Sequence, residues 1–431
     1  MLPISATLSE AGRLAIGGCD VRDLVARFGT PLYVYDTATI RRQCEDYLGA
    51  FRAEYPDTHV LYASKAFLNR PFARFIAEQG LGFDAVSGGE IALLQSAGVD
   101  MTTVYFHGNN KSATELLLAV QAGTGRIVID NEDEVALVEA AAAREGVTQP
   151  VLIRISPGVD GHTHEKTNTA LLDSKFGLPI VTGAAERAVK AIADSPHLDF
   201  RGLHIHVGSP IFELQPYALA IEIVAEFMAD IRDRLGIEVD EFSPGGGFAV
   251  AYSQDQEPET PAKYARVIAG TLKREADKHG LKLPRMTIEP GRSLVGRAGV
   301  ALYTVGARKF VPGVRTFVSV DGGMADNIRP SMYGARYEGI AADRPLDPAE
   351  ETVTIAGKYC ESGDLLIRDA ELPRLRAGEI LAVPAAGAYQ VAMESNYNLA
   401  YRPPIVMVED GEPRIIRRRQ TLEDLVALDV D

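Results

Sequence analysis

Eight short apolar runs alternating with amphipathic stretches, a change of pattern near residue 294 and a length of 431 residues predict an α/β fold. The expected architecture is a TIM barrel, (β/α)8, followed by a C-terminal β-sandwich or β-barrel domain. A barrel takes about 250 residues, and the length with 46% apolar content leaves material for a second core. Residues 37–293 are assigned to the barrel, and residues 1–36 together with 294–431 to the β domain.

The eight runs are HVLYASK (59–65), GFDAVS (82–87), TVYFHG (103–108), RIVIDN (126–131), VLIRIS (151–156), FRGLHIHVG (200–208), EFSPGG (241–246) and MTIEPG (286–291). Each is rich in β-branched or aromatic residues, and the intervening stretches are amphipathic, the pattern of repeated βα units around a parallel sheet. Eight is the number that closes a barrel. Ser87 with Glu90, Ser112 with Glu115 and Asn131 with Glu134 each place a capping side chain three residues before a reciprocal acid. Gly98, Gly123 and Gly146 then stand where each helix should stop. These caps locate the strand ends, and residues between a strand and the next helix line the barrel mouth, where the chemistry of this fold takes place. Beyond residue 294 the runs TFVSVDGG, ETVTIAGKYC and EILAVPAAG lack long helices between them, and PIVMVEDGEPRII carries an Asp410-Gly411 hairpin signal. TPLYVYD, at 30–36, precedes the barrel pattern and is expected to pair with the β domain.

A net charge of −15 repels phosphate backbones, so nucleic acid is not an expected partner; the run Arg417, Arg418, Arg419 reads as a solvated strand end. Three cysteines, at 19, 44 and 360, have neither metal-ligand spacing nor a disulfide framework, which fits a reducing compartment. The opening MLPISATLSEAGRLAIGG lacks a charged region followed by an apolar one, and no apolar run reaches the roughly 18 residues of a membrane span. A cytoplasmic protein without a membrane partner is expected.

The polar residues at the strand ends are Lys65, Asp84 with Ser87, His107, Asn131, Arg154, His206, Gly245 to Gly247, and Glu289 with Arg292. A lysine, a glycine triplet and an acid in one mouth match the aldehyde, the phosphate and the basic ring nitrogen of pyridoxal phosphate. Lys65 is expected to point into a confined site where desolvation lowers its pKa and favours imine formation. Taken alone, it reads equally as a barrel-end lysine with its ammonium in water. Gly245, Gly246 and Gly247 free backbone N–H groups to cradle a phosphate, although a glycine run also marks a tight turn. Glu289 can keep a pyridinium ring protonated, which strengthens the ring as an electron sink, or can simply pair with Arg292. His204 and His206 alternate along one strand and so face the same way, where one could stack on the ring. His-x-His also suggests zinc. In metal hydrolases built on this barrel that pair opens the first strand and a lysine follows later, whereas here Lys65 comes first; no metal is expected.

The ordered set TPLYVYD, YASKA, DAVSGGE, HGNNKS, RISPGVDGHTHE, DSKFG, GLHIHVGS, GGGF, EPGRS, VDGGMADNIRPSMYG, CESGD, GAY and SNYN spans nearly the whole chain. By these motifs the sequence resembles the barrel-type pyridoxal-phosphate decarboxylases of the alanine-racemase fold, and most closely the diaminopimelate decarboxylase family. The resemblance implies that Lys65 holds the cofactor as a Schiff base, that His206 stacks on its ring and that Glu289 faces the ring nitrogen. It places Ser209, Gly246, Gly247, Arg292 and Tyr389 around the phosphate or its neighbourhood, with Arg292 and Tyr389 also reaching substrate. Arg329, Tyr333 and Glu361 are implied to bind the distal end of the substrate, and Cys360 to supply the proton that replaces the departing carboxylate. A thiol is chemically suited to that last role, being a weak acid with a pKa near neutral. The resemblance further implies meso-2,6-diaminopimelate as substrate, L-lysine and carbon dioxide as products, and a homodimer in which CESGD completes the partner's site. The chain departs from the family pattern at SPGGGF, where an apolar lead into the triplet is more usual, at Gln390 and Glu394, and at NLAYRPP. None of these is a residue to which chemistry is assigned.

Other readings compete. A decarboxylase of lysine, ornithine, arginine or carboxynorspermidine shares both fold and chemistry. An alanine racemase presents arginine to the ring nitrogen, which Glu289 disfavours. A catalytically dead binding protein on the same fold should have lost Lys65 or Cys360, and both remain.

Overall fold

The computed structural model describes residues 1–159 and 174–430. They form two compact units, one comprising Cys44–Ala249 and Pro258–Gly291, the other Met1–Gln43, Val250–Glu257 and Arg292–Asp431. The helix Thr37–Glu54 runs through the first boundary. Residues 250–257, inside the region assigned to the barrel from sequence, cluster with the second unit because Tyr252 bonds Arg292, Gln254 bonds Glu338 and Asp255 pairs with Arg336.

The first unit is a closed barrel of eight parallel strands: Thr58–Ala63, Gly82–Ala85, Val104–Phe106, Arg126–Ile129, Gln149–Ser156, Leu198–His204, Glu241–Gly245 and Arg285–Ile288. Each pairs with its successor, and the eighth returns to the first with Met286 opposite Thr58 and Ile288 opposite Val60. All eight sequence runs coincide with these strands. A two-residue strand, Leu178–Pro179, is added beside the end of the fifth. Leu61, Tyr105, Val128 and Leu152 pack as one cluster of buried residues. At the N-terminal rim, Glu241 is buried between Arg126 and Tyr105, with Arg285 3.7 Å away, so this end is sealed by a satisfied polar cluster.

The helix starts are set by the predicted caps. Ser87, Ser112 and Asn131 accept from the N–H groups of Glu90, Glu115 and Glu134 respectively. Only the Ser112–Glu115 pair is reciprocal as expected. Glu90 and Glu134 reach one residue further back, to the N–H groups of Val86 (2.7 Å) and Asp130 (2.9 Å), and so tie the strand exit rather than the cap. Gly98 and Gly146 cap their helices in the left-handed conformation, whereas the third helix ends on Ala122, one residue before Gly123.

The second unit contains a nine-stranded mixed sheet whose hub is the 13-residue strand Gly299–Val311. Its first part pairs antiparallel with Leu32–Asp36 and Ile380–Val383, its last part with Arg315–Val320. Leu32–Asp36, the strand of TPLYVYD, pairs on its other side with Ile405–Glu409 and is buried at all five positions. Leu32, Val34, Val300, Leu302, Val406 and Val408 form the core there. Ile405–Glu409 and Glu412–Arg417 are joined by Asp410 (φ 49°) and Gly411 (φ 82°), the left-handed pair that matches the twist of a two-residue hairpin.

One sequence reading is corrected here. The arginine run is not a solvated strand end: Arg417 forms a two-pronged ion pair with the buried Glu394, and Arg419 donates to the carbonyl of Pro31, leaving only Arg418 well exposed. Glu394 and Gln390, two of the departures from the family pattern, belong to buried networks; Gln390 accepts from the Tyr33 hydroxyl at 3.0 Å. Among the described residues no helix is long and apolar enough to cross a membrane.

Removing Arg417 strands a buried carboxylate, whereas removing Arg418 frees an exposed pair. Arg417→Ala should therefore lower unfolding free energy by about 2–4 kcal/mol, whereas Arg418→Ala should leave it close to wild type. Urea titrations of the two variants check the order; equal midpoints would contradict the burial argument.

Candidate active site

The barrel rim gathers the strand-end residues named from sequence. Lys65 sits in a single 3-10 turn, Ser64–Ala66, directly after the first strand. Its neighbours Ser64 and Ala66 are buried, but Lys65 itself is exposed, not confined as the sequence reading expected. Its charge still acts on the mouth. Burial raises the Asp84 carboxyl, at the end of the second strand, to about 7 against the opposing pull of Lys65. Burial and then the Lys65 charge hold the His206 imidazole well below its usual value.

The sixth strand ends at His204, so His204 and His206 do not share one extended strand as expected. His204 is buried, and its Nε2 lies 2.9 Å from Glu289 Oε2. Half-buried His206 stands beside the glycine turn, its Nδ1 3.0 Å from where a Cβ on Gly245 would fall. Glu289 follows the eighth strand, and its backbone N–H donates to Gly245 O at 3.0 Å. Its Oε1 accepts from Ser243 Oγ at 2.9 Å, and His107 Nε2 is 3.5 Å from the same oxygen. Burial alone would raise this carboxyl, but His204 and His107, with the hydrogen bonds from His204 and Ser243, outweigh it and hold the group well below the ordinary carboxylate range. His107, His204 and Glu289 are close enough to have made a metal site.

The triplet after the seventh strand has its carbonyls tied to protein donors: Gly245 to Glu289 N, Gly246 to the Tyr217 hydroxyl (2.7 Å) and Gly247 to Ile211 N (2.8 Å). This orients the peptide planes so that N–H groups can face the mouth. A Cβ on Gly247 would sit 2.2 Å from Gly208 O, and its φ of +98° is one that side chains rarely adopt. Ser209, in the neighbouring segment, is exposed.

A second cluster forms within the other unit. Buried Arg292 donates to the Tyr252 hydroxyl at 2.6 Å and lies over the Tyr389 ring at 4.7 Å. Arg329 stands over Tyr252, Tyr333 and Tyr389 at 5.5–5.8 Å and donates to Tyr337 at 3.1 Å. The structure thus brings together Arg292, Arg329, Tyr333 and Tyr389 from the sequence assignment. It adds Tyr252 and Tyr337, which no motif marked; an aromatic residue five places after the glycine triplet was the only available signal. Cys360 and Glu361 are exposed at the tip of a turn held by buried Asp364, whose oxygens accept from the N–H groups of Met324 (2.6 Å) and Tyr359 (2.8 Å). Among the described residues, no hydrogen bond or ion pair joins either of them to the arginine cluster. Residues 160–165 of RISPGVDGHTHE and Asp173 of DSKFG lie outside the described residues.

Residues 37–296 match the family model described as pyridoxal-dependent decarboxylase, pyridoxal binding domain. The diaminopimelate decarboxylase of Bacillus subtilis (strain 168) is 44% identical over 98% of this chain and 96% of its own length. That of Halalkalibacterium halodurans is 45% identical over 99% of this chain and 97% of its own. The chain belongs to the diaminopimelate decarboxylase family. A crystal structure of a diaminopimelate decarboxylase from M. jannaschii in co-complex with L-lysine superposes with a TM-score of 0.94 at 34% identity, covering 100% of this chain and 99% of that one. Membership of the diaminopimelate decarboxylases makes the chain a carboxy-lyase that uses pyridoxal phosphate.

The residues present fit that cofactor. Three carbonyls are held by protein donors and Gly247 has no room for a side chain, a glycine backbone of the kind that can turn its N–H groups to a phosphate. The mouth also holds an anchored, ionised carboxylate, which a ring N–H can satisfy. Gly247→Ala adds a clash and about 1–3 kcal/mol of backbone strain, so cofactor affinity should fall about tenfold or more. Equilibrium dialysis with absorbance detection measures this; unchanged affinity would remove the triplet from the cofactor site.

Proposed function

We propose that this chain removes one carboxylate of meso-2,6-diaminopimelate as carbon dioxide and releases L-lysine, acting as a cytoplasmic homodimer with shared active sites. The observation that carries this reading is the ionised carboxylate of Glu289, anchored from two sides at the mouth of a barrel whose first strand ends in Lys65. Pyridoxal phosphate, when bound, supplies an aldehyde for amine capture and a ring that accepts the electrons left behind by the carboxylate.

In this reading the Lys65 amine anchors the cofactor, and the His206 imidazole, kept neutral by burial, offers a flat face to its ring. Gly246 and Gly247 present N–H groups to the phosphate, with Ser209 beside them and Arg292 and Tyr389 nearby. Glu289 accepts the ring N–H and, by staying ionised, keeps the proton on nitrogen. The region 37–293 carries all of these groups except Tyr389, which lies in the β domain of residues 1–36 and 294–431.

The substrate's far end carries an ammonium and a carboxylate, so a selective site needs an anion and a cation there. Arg329, and Arg292 with it, can clamp the carboxylate; Tyr333 and Tyr389 wall the space, and Glu361 can pair with the ammonium. Cys360 Sγ returns a proton to the carbon that lost its carboxylate. The L-lysine in the co-complex of the M. jannaschii relative supports this product.

The dimer is supported by what stands exposed around CESGD. Ser331 bonds Gly363 and the Tyr359 and Tyr397 rings meet at 6.2 Å, which groups Met332 (57% exposed), Tyr333 (60%) and Tyr397 (39%) beside Cys360. Large apolar side chains exposed together mark an interaction surface. If Lys65 works with Cys360 of the partner subunit, mixing inactive Lys65→Ala and Cys360→Ala chains should regenerate about a quarter of wild-type activity. No recovery after verified subunit exchange would place both residues in one chain's site.

Lysine lacks the distal carboxylate, so binding it leaves a desolvated arginine without its partner. The specificity constant for meso-diaminopimelate should exceed those for lysine and ornithine by at least about a hundredfold. Arg329→Ala should erase most of that margin. Comparable wild-type constants for lysine and diaminopimelate, read from carbon dioxide release, would instead identify a simpler amino-acid decarboxylase.

A further inference from the structure

Ser243 entered the sequence comparison only as part of SPGGGF, a departure from the usual apolar lead into the glycine triplet. In the structure it touches the acid at the centre of the mouth. Its Oγ donates to Glu289 Oε1 at 2.9 Å and accepts from Gly245 N–H at 3.1 Å. The second contact fixes the direction of the first: with the amide N–H occupying a lone pair, the hydroxyl proton points at the carboxylate. On the other oxygen the same logic applies to His204. A carboxylate only accepts, so His204 Nε2 must carry the proton across its 2.9 Å contact, while His204 Nδ1 is buried and has no partner among the described residues. His107 packs edge-on against the His204 ring at 4.8 Å and limits its rotation.

We propose that Ser243 and His204 are positioning residues that clamp both oxygens of Glu289, and that the clamp determines where the proton shared between Glu289 and the cofactor's ring nitrogen resides. This rests on the reading of Glu289 as the ring-nitrogen partner. The physical issue is a competition between two bases at a buried position. Burial favours the uncharged arrangement, a neutral carboxylic acid beside an unprotonated ring. Two fixed donors stabilise only the carboxylate form of Glu289, so they bias the proton toward nitrogen, and a protonated ring withdraws electrons more strongly. The clamp also links two functions. Ser243 holds Gly245 N–H while Glu289 N–H holds Gly245 O, so the turn that offers N–H groups to phosphate and the acid that meets the ring are braced against each other. A glycine loop and an acid 42 or more positions apart in sequence become one rigid unit.

The test uses full-length holoenzyme loaded with pyridoxal phosphate carrying nitrogen-15 in the ring, read by solid-state NMR. Wild type should show the upfield resonance of a protonated ring nitrogen. Ser243→Ala, which removes one donor without changing the backbone, and His204→Phe, which removes the other and keeps a ring, should each move it partway downfield. Each should also lower kcat about tenfold with little change in KM. His204→Gln, whose amide can still donate, should stay closer to wild type than His204→Phe. In a Glu289→Gln background, Ser243→Ala should add nothing. If Glu289→Gln moves the resonance but Ser243→Ala and His204→Phe leave it at the wild-type position, the clamp is refuted and the role of Glu289 stands. If Glu289→Gln itself leaves the resonance in place, the assignment of Glu289 to the ring nitrogen falls, and the clamp with it. Should His204→Phe not fold, the Ser243→Ala spectrum decides alone.

Discussion

Closure of the parallel sheet is the constraint on which the rest of the barrel unit depends. Every strand edge carries backbone donors and acceptors that must be paired when buried, and eight strands satisfy this only when the last returns to the first. The pairing of Arg285–Ile288 with Thr58–Ala63 completes the ring. Because all strands run the same way, their C-terminal ends share one rim. Lys65, Asp84, His107, His206, the glycine triplet and Glu289 are spread over more than 220 positions of sequence, and parallel closure alone collects them.

The two ends of the barrel treat charge differently. At the N-terminal rim Glu241 meets Arg126, Arg285 and Tyr105, so its charge is compensated by full cations and serves to seal the barrel. At the C-terminal rim Glu289 meets two histidines and a hydroxyl among the described residues, with no arginine or lysine in hydrogen-bonding contact. These partners hold it in the carboxylate form at the barrel mouth. Asp84, on the same rim, is pushed up to about 7 by burial against the opposing charge of Lys65.

The second unit handles positive charge in the same economical way. Arg292 and Arg329 stand against tyrosine faces and hydroxyls. Aromatic faces stabilise a guanidinium through its planar side. Glu394 takes the opposite course: fully paired with Arg417 and half covered by Arg402, it is structural. The contrast separates a departure in the sequence that holds the fold from the arginines proposed to meet substrate.

The sequence by itself determined the features whose causes lie within a few residues. Apolar runs bounded by turn and cap signals located all eight barrel strands, Ser112 with Glu115 located a capping box, and Asp410-Gly411 located a hairpin. Strand-end positions, read with the family resemblance, yielded the rim residues. Tertiary structure alone decided what depends on distant partners. Gly299–Val311 became the hub of the sheet because strands from residues 32, 315 and 380 pair with it, a property of those strands as much as of its own residues. Tyr252 joined Arg292, 40 positions away, and Arg417 found Glu394 instead of water. Lys65 stands exposed on the turn that follows the first strand. Ser243 and His204 meet Glu289 across 46 and 85 positions. Local signals reach about one helical turn along the chain, whereas the ionisation of a buried acid is set by whichever donors the fold brings within 3 Å.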